Sequence, residues 1–260
     1  MVVFFDLDGT IVDESTQIIP ESAVRAIAAL GRRGHLAVVN TGRPFRHIDP
    51  RIRRMAFGGW ICGCGMQIQL DGQWLYRRAP DPEVCRSIIQ SVRDCGMQVL
   101  YEAEDCMYRD GIHSDTPRAV RQARHLEERG FPVREISQAG EPVFLKFITH
   151  DAPGCRRAEF LKRVAPFFTS IDRGNGMVEY VLQGCSKAAG MEILLSRLGV
   201  SKADTLAVGD STNDLPMFAA AGHTVCMGGG MAEAKSQADF VTARVLDDGV
   251  EKALRHYGLI

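Results

Sequence analysis

The chain has 260 residues, with 31 basic against 32 acidic side chains and a formal net charge of −1. Its 45% hydrophobic and 24% charged residues are ordinary for a globular protein, and a chain this long builds a core without disulfide or metal staples. The balanced charge argues against nucleic-acid and acidic-membrane partners. No apolar run approaches the roughly 18 residues of a membrane span, and acids stand where a signal peptide would be basic. A soluble cytoplasmic protein, a monomer or weak homodimer, is expected. The eight cysteines show no framework and no zinc-ligand spacing, so they are expected as reduced thiols.

Val2-Val3-Phe4-Phe5 is a short apolar run ending at Asp6, which predicts a buried strand. Pro20 opens a helix with Ala23, Ile27 and Leu30 on one face, closed by Gly31 and Gly34. Leu36-Ala37-Val38-Val39 is a second strand, ending at Asn40-Thr41-Gly42-Arg43-Pro44. Strand, helix and strand at this spacing predict a parallel sheet. The alternation over 66–70, the Asp71-Gly72 turn and the returning Trp74 and Tyr76 predict a hairpin.

The rhythm then changes. Pro80 and Pro82 mark a linker, followed by a helix with Val84, Ile88, Val92 and Cys95 on one side. Strands are expected at 98–102, 107–109, 143–149 and 177–182, and helices at about 118–129, ending at Gly130, and at 155–164. This mixture predicts a separate α+β layer. From Ser186 the α/β pattern returns: a helix bearing Met191, Leu194, Leu195 and Leu198, a strand at 205–208 and a helix near 215–221. A strand at 223–227, a helix at 231–237 and a terminal helix to about Tyr257 follow. The fold class is α/β, a doubly wound Rossmann-like parallel sheet with an inserted α+β cap. The divisions are 1–79 and 184–260 for the core and 80–183 for the cap.

Polar residues sit at the carboxyl ends of three buried strands: Asp6 and Asp8, then Thr41, then Asp210. Open parallel sheets bind ligands beyond those ends. Gly9 permits the turn that sends two carboxylates to one region. Asp6-Leu7-Asp8-Gly9-Thr10 resembles the first signature of the haloacid dehalogenase superfamily, Thr41 the second, Lys187 the third and Gly209-Asp210-Ser211-Thr212-Asn213-Asp214 the fourth, in the same order. Thr41-Gly42-Arg43-Pro44, the long insert and the C-terminal stretch from Met227-Gly228 to Asp248-Gly249-Val250 are similar to the Cof-type, class IIB branch, which implies a cap of the C2B type.

The resemblance implies a phosphatase acting on small phosphomonoesters, above all sugar phosphates, through an aspartyl-phosphate on Asp6. Asp8 would be general acid and base; Thr41, the Gly42 N–H, Lys187 and Asn213 would hold the phosphoryl group. Mg²⁺ would bind the Asp6 side chain, the Asp8 backbone carbonyl and Asp210, and Asp214 would either complete the metal's surroundings or orient Lys187. The physics agrees: a phosphate near Asp6 and Asp8 costs about 4 kcal/mol per like pair at roughly 4 Å and an effective dielectric near 20, so cations must compensate. Two other readings are a phosphotransferase of the phosphomannomutase-like type and a non-catalytic phospho-acceptor, against which Asp8 and the cap both speak.

Other features have plainer expectations. Arg43, preceding a proline, is expected to pair with a local carboxylate. Arg46, Arg51, Arg53 and Arg54 are read as a solvated face, and Gly228-Gly229-Gly230 as a tight loop. Tyr108, Arg109, His113, Lys146 and Glu179 are the cap's candidate inward-facing residues. Cys64-Gly65 stands where Cof-type chains carry Asn-Gly, and Gly229 where they often carry Asn.

Overall fold

In a computed structural model that describes residues 1–115, 117–128, 130–174 and 176–260, the opening apolar run forms β1 (Val2–Phe5), buried throughout. Burial on both faces is what an unbroken apolar strand needs in a parallel sheet. It is followed by α1 (Glu21–Arg32), β2 (Leu36–Asn40), α2 (Pro50–Arg53), β3 (Gly59–Cys62), β4 (Gln67–Leu70) and β5 (Gln73–Arg77). Helix α1 does not stop at Gly31 but runs on to Arg32, and the chain leaves it only where Gly34 adopts φ +78°. One helical glycine costs about 1 kcal/mol, too little to end a helix whose Ala23, Ala26, Ile27 and Leu30 are buried. The β4–β5 hairpin turns through Asp71 and Gly72, both at positive φ, as a two-residue turn between right-twisted strands requires.

The next segment contributes α3 (Pro82–Cys95), β6 (Gln98–Glu102), β7 (Met107–Arg109), α4 (Pro117–Glu128), β8 (Val133–Glu135), β9 (Lys146–His150), α5 (Arg157–Val164), β10 (Phe168–Asp172) and β11 (Met177–Leu182). Asp81 caps α3 by accepting the Glu83 N–H at 2.8 Å, Pro82 takes the first helical position, and Gly96 closes the helix at φ +67°. The expected end of α4 at Arg129 lies outside the described residues. The chain finishes with α6 (Lys187–Leu198), β12 (Thr205–Gly209), α7 (Leu215–Ala220), β13 (His223–Cys226), α8 (Ala232–Ser236), β14 (Phe240–Val241) and α9 (Gly249–His256).

Two compact units result. Met1–Arg43, Ile48–Arg77 and Ser186–Ile260 make the first; Pro44–His47 and Arg78–Cys185 make the second. Among the described residues the first unit's sheet has eight strands in the order β14-β13-β12-β1-β2-β3-β4-β5, parallel from β14 to β3. Its core on one face joins Phe4, Val38, Ile61 and Ala207 to Met191, Leu194, Met217 and Phe218. Phe5 of β1 is level with Val39 of β2 and Val208 of β12, so those three strands end side by side. That register positions the site described below.

The second unit has the sheet order β10-β11-β9-β6-β7-β8, antiparallel except for β7 beside β8. Tyr101, Phe147 and Tyr180 face one another across β6, β9 and β11 and pack with Phe144, Phe160 and Phe168. The strand expected at 143–149 starts only at Lys146, because Phe144 turns into this aromatic cluster. Among the described residues no helix is long and apolar enough to cross a membrane. All eight cysteines are free thiols, six of them buried.

Candidate active site

The first unit gathers its acidic residues where β1 and β12 end. Asp6 follows β1 directly and is 4% exposed. The chain then turns sharply, the N–H groups of Ile11 and Val12 both bonding to the Leu7 carbonyl. Gly9 sits at φ +73°, and a Cβ there would lie 2.4 Å from Asp210 Oδ2. Only glycine allows this turn to press against Asp210. Thr10 Oγ1 also reaches Asp210 Oδ1, at 3.4 Å.

Lys187 is not the solvated lysine that the start of a helix would ordinarily carry. It is buried, and its Nζ stands 2.7 Å from Asp6 Oδ1 and 2.6 Å from Asp214 Oδ1. The fully buried Asp214 uses its other oxygen to accept the N–H groups of Asp210, at 2.9 Å, and Ser211, at 3.1 Å. Of the two readings of Asp214, orientation of Lys187 is the contact seen. An ammonium has three N–H donors, and two are committed here. Burial disfavours the Lys187 charge, but Asp214 and Asp6 outweigh it and raise the ammonium's pKa.

Oxygens of Asp6, Asp210 and Asp214 all lie within 4.8 Å of one another. Burial, with Asp214 and Asp8 nearby, pushes the Asp6 carboxyl up to about 7 against the pull of Lys187. Burial, then Asp6 and Asp214, pushes Asp210 up to about 8. Three crowded carboxylates facing one ammonium are short of positive charge. Hard oxygen donors in such a deficit fit a divalent cation of the Mg²⁺ type. The Asp8 carboxylate is not one of the three: Arg43 grips it through two contacts, Nε to Oδ2 at 2.8 Å and Nη2 to Oδ1. The local carboxylate expected for Arg43 is thus a candidate catalytic one.

Thr41, 1% exposed, bonds through its N–H to the Ile61 carbonyl at 2.8 Å, while its Oγ1 accepts the Arg43 N–H at 3.2 Å. Among the described residues its hydroxyl proton has no acceptor. Asn213 is half-buried and its Oδ1 accepts from Ser211 Oγ at 2.7 Å. Cys64 holds φ 54°, a left-handed conformation that asparagine adopts more readily, and its N–H bonds to the Thr41 carbonyl. A Cβ on Gly65 would stand 2.4 Å from the Ser186 carbonyl, so this loop supports both Thr41 and the start of α6. Asn40, at the end of β2, donates through its Nδ2 to the Lys187 carbonyl. The signal was its position: a polar residue closing an otherwise apolar strand.

In the second unit, Lys146 and Glu179 are buried and bonded at 2.8 Å, with Glu102 3.2 Å from the same ammonium and Arg173 Nε 2.9 Å from Glu179. Arg109 pairs with Asp115, and His113 Nδ1 contacts the Met97 carbonyl. Burial alone would raise the Glu179 carboxyl; Lys146 and Arg173 overcome it and hold the group at about 2, against an ordinary 4.5. A depressed carboxyl contributes stability above pH 4.5 that is lost as pH falls toward 2, here about 3 kcal/mol. Denaturant unfolding as a function of pH is expected to show Glu179→Gln destabilised at pH 7, with the gap to wild type closing below pH 4. A gap independent of pH would refute this.

The chain was compared with known proteins. The family model described as haloacid dehalogenase-like hydrolase matches residues 3–254. YkrA of Bacillus subtilis (strain 168) is 28% identical over 260 residues, spanning 100% of this chain and 98% of its own length. The 5-amino-6-(5-phospho-D-ribitylamino)uracil phosphatase YitU of the same organism is 26% identical over 274 residues, spanning 98% of this chain and 97% of its own. The solved structure of BT1666 from Bacteroides thetaiotaomicron, described among phosphatases of the superfamily, superposes with a TM-score of 0.84 at 26% identity, covering 100% of this chain and 95% of that one. With matching strand-end acids, an ordered set of four signatures and a family match across nearly its whole length, the chain belongs to the haloacid dehalogenase-like hydrolases, of the Cof type.

Proposed function

We propose that the protein is a Mg²⁺-dependent phosphatase that hydrolyses small phosphomonoesters, sugar phosphates first among them, through an aspartyl-phosphate on Asp6. The observation that carries this is Lys187, buried between Asp6 and Asp214 with Asp210 alongside. The name of YitU supports a phosphate ester on a polyhydroxylated chain as the kind of substrate.

In the first step an Asp6 carboxylate oxygen forms a bond to phosphorus as the bond from phosphorus to the ester oxygen breaks. Asp8 gives its proton to the departing alkoxide. In the second step a water oxygen attacks the same phosphorus, Asp8 takes the water's proton, and the phosphorus–Asp6 bond breaks to release inorganic phosphate. Lys187 offers its third N–H to the phosphoryl oxygens, with the Thr41 hydroxyl, the Gly42 N–H and Asn213. Asp214 keeps the ammonium in place, and Arg43, which holds both Asp8 oxygens here, must release one for Asp8 to carry and give its proton. Asp6, Asp210 and the Asp8 carbonyl would hold Mg²⁺, which supplies the missing positive charge when bound. Residues 80–183 act as the substrate lid, excluding water during transfer.

Phosphate release across a panel of phosphomonoesters tests the reading. Removing divalent cations with EDTA is expected to lower the rate by at least about a hundredfold, reversed by excess Mg²⁺. A rate indifferent to EDTA would refute the metal requirement. Mutase activity with a bisphosphate activator and little net release would refute the phosphatase itself.

A further inference from the structure

The reaction above leaves one buried polar side chain beside the site unused. Asn40 closes the run Leu36-Ala37-Val38-Val39, is fully buried, and lies level with Ile61 of β3. By strand alternation it shares the Val38 face, where Met191 and Leu194 of α6 pack. Its Nδ2 donates to the main-chain carbonyl of Lys187 at 3.1 Å. Its Oδ1 is buried without a hydrogen-bond partner among the described residues.

A half-satisfied amide is an expensive occupant for a position that valine would fill without that cost. Turning the amide over would oppose two acceptors, so the contact with Lys187 sets its orientation. Nor is the bond needed to start α6. Ser186 already caps that helix, its Oγ accepting the Ala189 N–H at 3.0 Å. Where the Cys64-Gly65 loop links Thr41 to the start of α6 through Ser186, Asn40 ties the strand end that presents Thr41 directly to the Lys187 carbonyl by a hydrogen bond. Two groups assigned to the phosphoryl oxygens are thereby joined through one side chain.

We propose that Asn40 is a positioning residue for the Lys187 ammonium, acting through the Lys187 main chain; this rests on the phosphoryl role proposed for Lys187. Its donor matters and its acceptor does not. Small displacements of a transition-state contact reduce turnover more than binding.

The test is steady-state hydrolysis and thermal unfolding of Asn40→Val and Asn40→Leu beside Lys187→Met. Asn40→Val is expected to lower kcat about tenfold with KM within about twofold of wild type, while its Tm stays level or rises. Asn40→Leu keeps the approximate shape, loses the donor at every pH, and is expected to lose at least as much kcat. That variant decides the matter should Asn40→Val fail to fold. Wild-type kcat in either folded variant overturns the inference, as does a loss that merely follows a fallen Tm. If Lys187→Met abolishes turnover while Asn40→Val is silent, Asn40 alone is misassigned. If Lys187→Met itself keeps wild-type kcat, the role of Lys187 fails first and this inference falls with it.

Discussion

Asp6→Asn is expected to lower kcat by at least about 10⁴-fold while leaving the circular dichroism spectrum unchanged. The asparagine matches the aspartate in shape, and its Oδ1 can still accept the Lys187 N–H now received at 2.7 Å. What it lacks is a carboxylate able to form an acyl phosphate, so no remaining group replaces the nucleophile. The fold should tolerate the change. Burial and the neighbouring acids already push Asp6 up to about 7, so removing its charge relieves crowding, and Tm is expected to stay level or rise slightly. Acid-quenched wild-type protein should carry one added phosphoryl group by mass spectrometry, and Asp6→Asn none. Full turnover by the variant, or a phosphoryl group on it, would refute the assignment.

Lys187→Met is expected to cost both stability and activity. Asp214 is fully buried, and its Oδ1 has Lys187 as its ion-pair partner at 2.6 Å. Methionine conserves the length of the side chain but leaves Asp6 and Asp214 as uncompensated neighbours. Removing one partner from a buried ion pair costs about 3–5 kcal/mol, which in a chain of this size lowers Tm by about 10 °C. Turnover is expected to fall about a thousandfold, through the lost phosphoryl contact and the mispositioned nucleophile. Differential scanning calorimetry together with phosphate release checks both parts. A variant with wild-type Tm would show that the pair contributes nothing to the fold, and one with wild-type kcat would remove Lys187 from the site.

Short, continuous apolar runs made the central strands readable: Val2–Phe5 and Thr205–Gly209 are buried along their whole length and follow their sequence pattern closely. Central β3 also escaped, although it is buried throughout; the other elements that escaped carry weak patterns for a physical reason. Strand β10 exposes three of its five residues and offers no clear alternation, β8 has three residues and β14 two. Such edge segments are defined by the neighbour they bond to more than by their own composition.

The candidate site divides the same way. Asp6, Thr41, Lys187 and Asp210 stand out because polar residues beyond apolar strands, and a lysine at a helix start, need a purpose that sequence order alone suggests. The partnerships do not. That Asp214 serves Lys187, that Arg43 takes the Asp8 carboxylate, and that Asn40 reaches the Lys187 carbonyl join residues up to 147 positions apart. Local patterning has no access to such pairs, because each depends on which strands lie side by side and how far α6 is advanced along the sheet. The residue types and their order determined the family, the fold class and the acids of the site. The tertiary structure alone decided which acid meets which cation, since burial, distance and charge balance arise only when the strand ends converge.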